Sequence, residues 1–301
     1  MENFALLGTC FVLGVLLRRL RVVPDNAAIT VNAVIINMSL PAAALLHVHS
    51  LEISLRFVPP VLMGWVVFFA GFGVFAVLGR VLGWNKKTVA CLTLTAALGN
   101  TSFVGLPMIE AFYGPEWMGT GLIIDQGGSF LTLCLVGIAL AAAAAGERVS
   151  PGATLRRVAG FPPFFAVIAA LLLIPLRYPE WLDSVLGTLA GTLSPLALLS
   201  VGLTVRFRAV QGRLPELLCG LGYKMVLAPL LVMGLYMGLL DLSGTLIKVT
   251  VFEAAMPPMV MGAIISTQYD LEPDLAGVLL GVGIPLSFAT LAGWYWVMEL
   301  F

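Results

Sequence analysis

Long apolar runs separated by short polar stretches set the pattern of this chain. A helix that crosses a bilayer needs about 20 mostly apolar residues. Ten runs meet that need: Asn3–Leu17, Ala27–Leu46, Phe57–Leu78, Thr88–Tyr113, Trp117–Ala145, Ala159–Leu176, Leu182–Val205, Leu217–Leu240, Thr245–Thr267 and Leu275–Met298. The connections are short, the longest running from Gly146 to Val158, and no water-soluble domain fits between the runs. The first run has neither the basic flank nor the small-residue cleavage site of a secretory signal, so it reads as a retained span.

Basic residues fall on alternate connections. Arg18, Arg19 and Arg21 follow the first run, and Arg80, Lys86 and Lys87 the third. Arg148, Arg156 and Arg157 follow the fifth, and Arg206, Arg208 and Arg213 the seventh. The other side holds Arg56, Arg177 and Lys248, while Lys224 lies inside the eighth run. Twelve against three puts the basic connections in the cytoplasm and both termini outside it. Trp84, Trp117, Trp181, Trp294 and Trp296 near the run ends suit interfacial belts.

Composition agrees with lipid as the solvent. Hydrophobic residues make up 60% of the 301 positions and charged residues 11%, where soluble chains carry about 25% charged residues. The 16 basic and 16 acidic residues cancel, so no basic field exists for nucleic acid, and none is expected as a partner. Cys10, Cys91, Cys134 and Cys219 are scattered through apolar stretches and read as small core residues.

Ten runs divide into five and five. Five is odd, so the second half (151–301) enters the membrane from the opposite side to the first half (1–150). The halves share punctuation: Ser39-Leu40-Pro41 in the second run against Ser194-Pro195 in the seventh, and a polar break running to Pro107 in the fourth against Pro257-Pro258 in the ninth. Proline inside a helix frees backbone carbonyls, and in lipid these must face protein or a water-filled cavity. Interrupted spans at matching places in inverted halves point to a transporter's binding site.

The fourth run holds Gly99, Asn100, Thr101 and Ser102 ahead of Gly105 and Pro107, a poor continuous helix that would present carbonyls and hydroxyls to a small ligand. Small polar residues also pack helices together, which is the plainer reading. Ionisable residues inside the runs are Asp125, ahead of Gln126-Gly127-Gly128-Ser129, Glu253, four residues before Pro257, and Lys224. A charge at the bilayer centre costs about 2.5–3.5 kcal/mol even on the lenient insertion scale. Asp125 and Glu253 are candidates to hold a proton or a sodium ion. Lys224 either neutralises one of them, as in a structural ion pair with Asp125, or attracts an anion. Glu110, His47 and His49 read as interfacial.

At these residues the chain resembles the auxin efflux carrier family, which includes plant auxin exporters and bacterial permeases for small organic acids. Asn100, Thr101, Gly105, Pro107, Tyr113 and Gly114 match its fourth-span pattern; Pro257, Tyr269, Pro273, Asp274 and then Pro285 match its later one. The resemblance implies an all-α fold of ten transmembrane helices related to the bile acid sodium symporters, with broken helices 4 and 9 crossing. Spans 1, 2, 6 and 7 would form a scaffold, and spans 3–5 and 8–10 a moving transport domain. Homodimers are implied as well. Plant members carry proline where this chain has Gly99 and Gln-Gly where it has Pro258-Met259, and their long central hydrophilic loop is absent here. Glu253 resembles the acidic ninth-span residue at the symporters' sodium sites, which keeps ion coupling open beside plain uniport.

The expectation is a multi-pass protein of the bacterial cell membrane, a secondary active transporter of a small organic anion. Asn100, Thr101, Ser102, Pro107, Pro257 and Pro258 would bind substrate. Asp125, Gln126, Ser129, Glu253 and Lys224 would handle the coupling ion, with Thr101, Ser129 and Glu253 as a candidate sodium site. No other cofactor is expected. The alternatives are an uncoupled carrier or a channel and, remotely, an intramembrane enzyme, for which the nucleophile and metal motifs are missing.

Overall fold

The computed structural model describes residues 2–52, 54–147, 152, 158, 160–205 and 212–301. Arg148, Arg156, Arg157, Arg206 and Arg208, used above to orient the chain, lie outside these residues, as does the boundary between the two halves. The described chain is all helix, and no strand occurs among its residues.

Helix α1 spans Glu2–Arg19, α2 Ala27–Val48, α3 Leu55–Leu82 and α4 Lys86–Leu92, which a wide turn over Thr93–Ala97 carries on. Then come α5 (Thr101–Phe112), α6 (Pro115–Ala145), α7 (Pro162–Leu173), α8 (Glu180–Thr204), α9 (Leu214–Leu239), α10 (Thr245–Ala254), α11 (Val260–Gln268) and α12 (Pro273–Glu299). Local chemistry sets several ends. Asn85 caps α4 by accepting the Thr88 N–H at 2.8 Å. Gly83 ends α3 at φ 72° and Gly146 ends α6 at φ 79°, the left-handed conformation that glycine adopts without strain.

Among the described residues six helices, α2, α3, α6, α8, α9 and α12, are long and apolar enough to cross a membrane by length and composition. The other predicted runs take different forms. Helix α1 carries Glu2, Arg18 and Arg19 at its ends, and α7 has 12 residues. The fourth and ninth runs are each split, into α4 with α5 and α10 with α11.

Two groups of helices pack side by side. Helix α1 lies along α8, and α2 packs against both α7 and α8. The first contact is close because glycine faces backbone on each side: a Cβ on Gly14 would stand 2.2 Å from the Leu199 carbonyl, and one on Gly202 2.2 Å from the Phe11 carbonyl. In the second group α3 packs on α4 and α6, and α11 on α4 and α12. Tyr223 and Tyr236 of α9 donate to the Val67 and Pro59 carbonyls of α3, at 2.5 and 2.6 Å.

Proline placement departs from the sequence reading in two helices. Pro41 does not interrupt α2, and Pro107 does not interrupt α5. Wide π turns flank Pro41 at Ile35–Ser39 and Ala44–Val48, and one precedes Pro107 at Thr101–Gly105. Such turns shift the bonding partner by one residue and so absorb a missing N–H locally. Trp294 also differs from a simple belt residue, because its indole N–H donates to the Met225 carbonyl at 2.7 Å.

Candidate functional site

The break in the fourth run falls at Leu98–Asn100. Leu98 is extended (φ −87°, ψ 148°) and Asn100 leaves the helical region (φ −80°, ψ 68°). The ninth run opens over Ala255–Met259, where Pro257 and Pro258 supply no N–H. The two breaks bond to each other. The Asn100 N–H donates to the Pro257 carbonyl at 2.8 Å, the Met259 N–H donates to the Thr95 carbonyl at 2.8 Å, and Gly99 bridges Pro258 in antiparallel fashion. Backbone groups freed by the interruptions thus find partners inside the protein, as a low-dielectric surrounding demands. Gly262, in the first turn of α11, makes the crossing possible: a Cβ there would lie 1.9 Å from the Leu94 carbonyl.

Asp125 sits beside this crossing on α6 and is 1% exposed. Its Oδ1 accepts the Thr101 hydroxyl at 2.5 Å, and the Ser102 hydroxyl lies 2.7 Å from both carboxylate oxygens. Gln126 Nε2 donates to Oδ2 at 2.6 Å. These donors stabilise a buried carboxylate, and two of them stand in the first turn of α5. The sequence-predicted residues Thr101, Ser102, Asp125 and Gln126 therefore form one network.

Asn100 is the cap of α5. Its Oδ1 accepts the Phe103 N–H at 3.1 Å, and its Nδ2 is buried without a partner.

Glu253, in the last turn of α10, is fully buried, and neither carboxylate oxygen has a hydrogen-bond partner among the described residues. It occupies space that glycines leave. A Cβ on Gly105 would stand 2.6 Å from its Oε1, and one on Gly121 3.7 Å.

Lys224 bonds main chain rather than Asp125, and its charge also acts on Glu253. Its Nζ donates to the Ala254 carbonyl at 2.8 Å and packs over Gly99, and no ion pair with Asp125 forms among the described residues. The reason is the broken helix itself: the last carbonyls of α10 lack intrahelical donors and carry partial negative charge, which an ammonium satisfies. Ser129 lies where α6 meets Gly64 of α3, whose Cβ would stand 2.8 Å from the Ser129 nitrogen. No group of three His, Cys, Asp or Glu suited to a metal occurs among the described residues.

A cavity of about 200 Å³ opens beside the network, lined by Ser102, Phe103, Asp125, Gln126, Met259 and Gln268 among others. Asn100, Thr101, Pro107, Ser129, Lys224, Glu253, Pro257 and Pro258 are not among its lining residues. A second cavity, of about 440 Å³, is lined by Arg18, Asp25, Asn32, Thr204, Val260 and Gln268. Ile264 and Gln268 belong to both walls, so one face of α11 joins the two spaces. Toward the other end of the molecule Ser194 of α8 donates to the Glu110 carboxylate of α5. Ser39 of α2 likewise meets Thr192 of α8 at 2.7 Å.

Sequence reading missed Gln268, the contact of Glu110 with Ser194, and the glycine seats of Glu253. Gln268 had a signal, as a polar residue closing an apolar helix. The glycine seats had none, since they depend on which helices become neighbours.

A family model described as "Membrane transport protein" matches residues 2–295. The chain belongs to this family, the auxin efflux carriers. It is therefore a multi-pass membrane protein, and the helix breaks, the buried acids and the cavities are features of a carrier-family chain. An uncharacterized transporter of Methanothermobacter thermautotrophicus is 27% identical over 288 residues, covering 94% of this chain and 93% of the relative. The transporter MJ1031 of Methanocaldococcus jannaschii is 23% identical, with 92% of each chain covered. The transporter YfdV of Escherichia coli is 22% identical, over 92% of this chain and 90% of the relative.

Proposed function

We propose that this carrier is a secondary active transporter of a small organic anion that works by elevator-type alternating access. In this reading the chain crosses the bacterial cell membrane ten times, as two inverted five-helix halves with both termini outside. Helices α1, α2, α7 and α8 form the scaffold, and the remainder moves. The observation that carries the reading is the bonded pair of helix breaks, Asn100 to Pro257, set beside a buried carboxylate and a cavity.

Asp125 and Glu253 are the coupling groups. Asp125 takes a proton or a sodium ion at the cavity wall. Glu253, whose carboxylate oxygens make no hydrogen bond among the described residues, takes a proton or a cation in its glycine seat, since a buried charge costs several kcal/mol. Asn100 and the starts of α5 and α11 attract the substrate carboxylate, because a helix N-terminus favours an anion. Lys224 holds the end of α10 and balances charge near the crossing. The shared wall of the two cavities supports a path toward the cytoplasm, and the Glu110–Ser194 contact supports closure on the outer side.

The test is uptake of labelled dicarboxylates and aromatic acids by the reconstituted protein. Glu253→Gln and Asp125→Asn should flatten the dependence of uptake on sodium or pH. If both variants keep that dependence unchanged, the coupling assignment is wrong.

A further inference from the structure

The inner cavity combines two kinds of polar group that an anion alone leaves half used. Two helices begin at its wall. Helix α5 contributes Ser102 and Phe103 from its first turn, and α11 contributes Met261, just after Met259. The first N–H groups of a helix lack intrahelical partners, and roughly half an elementary positive charge gathers there. The unpartnered Nδ2 of Asn100, at the cap of α5, adds a donor to the same end. This part of the site suits a carboxylate.

The rest of the polar wall holds acceptors at Asp125 and Gln126, beside Gln268, whose amide offers both a donor and an acceptor. Gln126 is 1% exposed. Its Nε2 is committed to Asp125, which fixes the amide and leaves Oε1 as a buried acceptor without a partner. Asp125 itself has lone pairs beyond those its donors use. Among the described residues no lysine, arginine or histidine lines the cavity. A plain carboxylate would put its charge near Asp125 and leave Gln126 Oε1 unpaired, and an unpaired buried acceptor carries a desolvation cost. A solute that brings its own donor removes both problems.

We propose that the transported solute is a small carboxylate with a hydrogen-bond donor, a hydroxyl or an ammonium, on a neighbouring carbon. Its carboxylate meets the starts of α5 and α11, and its donor meets Gln126 Oε1 and Asp125. The proposal rests on the organic-anion reading above and narrows it. Charge separates the two donors. A hydroxy acid adds a second negative charge beside Asp125 and needs a proton or sodium ion with it. An amino acid carries its own cation and needs neither.

The experiment is a thermal-shift titration of the purified full-length protein with two matched series: propionate, lactate and alanine, then succinate, malate and aspartate. Each runs with and without sodium, at neutral and mildly acidic pH. In at least one series a donor-bearing acid should bind about tenfold or more tighter than its plain analogue, the factor that one unpaired buried acceptor implies. In the monocarboxylate series, dependence on sodium or acid marks the hydroxyl and independence marks the ammonium; aspartate, a net anion, is read only for its affinity ratio. Gln126→Met, close in volume, should bring that ratio to about one while plain acids still bind; if this variant does not fold, the wild-type ratios alone decide. Equal binding of plain and donor-bearing acids in both series overturns the proposal and leaves the anion reading standing. No shift with any acid overturns both.

Discussion

The main-chain N–H of Asn100 donates to the carbonyl of Pro257 at 2.8 Å, which ties one interrupted helix to the other at the point where each has lost its own ladder. Residues more than 150 positions apart in sequence thereby complete each other's backbone bonding. The crossing is close at a second point as well, where Gly262 meets the Leu94 backbone.

That contact predicts the effect of a single methyl group. In Gly262→Ala the added Cβ would meet the Leu94 carbonyl at 1.9 Å, so backbone has to move. We expect a loss of at least about 1–3 kcal/mol, the usual cost of overpacking, read as a lower melting temperature in detergent. Gly8→Ala, where nothing lies within 4 Å, is the control and should melt like the parent. Equal melting of both variants would contradict the crossing geometry.

The Asp125 network makes a finer prediction. Thr101→Val deletes one hydroxyl donor to the carboxylate and should cut transport about tenfold, in line with roughly 1.5–3 kcal/mol for a hydrogen bond to a charged group. Thr101→Ser keeps the hydroxyl and should retain most activity. Uptake rates of the two variants, normalised to protein in the liposomes, check this. Equal rates would remove Thr101 from the network's working part.

Glu253 and Gly105 should be energetically coupled. Gly105→Ala drives a methyl group into the carboxylate, 2.6 Å from Oε1. Glu253→Ala empties that space, so the double variant should be less damaged than the sum of the singles by about 0.5–3 kcal/mol. A double-mutant cycle of melting temperatures measures this, and strict additivity would mean that the two residues do not share the seat.

The contact between Ser194 and Glu110 supplies a test of motion. With the four native cysteines replaced, a Glu110→Cys and Ser194→Cys pair should be bridged by a short bifunctional thiol reagent. Because α5 and α8 lie on opposite sides of the proposed sliding surface, bridging should stop transport, and reductant should restore it. Full activity in the bridged protein would rule out separation of these helices during the cycle.

Much of this was legible in the sequence, and the reasons are particular. Gly99, Asn100, Pro257 and Pro258 announce breaks because each weakens a helix wherever it sits. The fourth break is shorter than the stretch to Pro107 that the sequence suggests, because a π turn at Thr101–Gly105 lets Pro107 continue the helix, and no residue type marks such a turn. Asp125 and Glu253 stood out as charges in apolar runs. Their surroundings did not, since the partners of Asp125 are hydroxyls 23 and 24 residues away and those of Glu253 are absent side chains. Lys224 was visible as a buried cation, but its partner is a main-chain carbonyl, which leaves no mark in a sequence. The paired serines of the second and eighth helices, Ser39 and Ser194, were matched as punctuation, yet their actual partners, Thr192 and Glu110, emerge only from the packing.

Counterflow addresses the central claim, that the joined breaks form a site exposed to one side of the membrane at a time. Proteoliposomes are loaded with an unlabelled acid that the protein binds, and a trace of the labelled acid is added outside. Alternating access predicts saturable uptake, with the label rising transiently above its equilibrium level. Flux that is linear in concentration and indifferent to the internal acid would contradict the account.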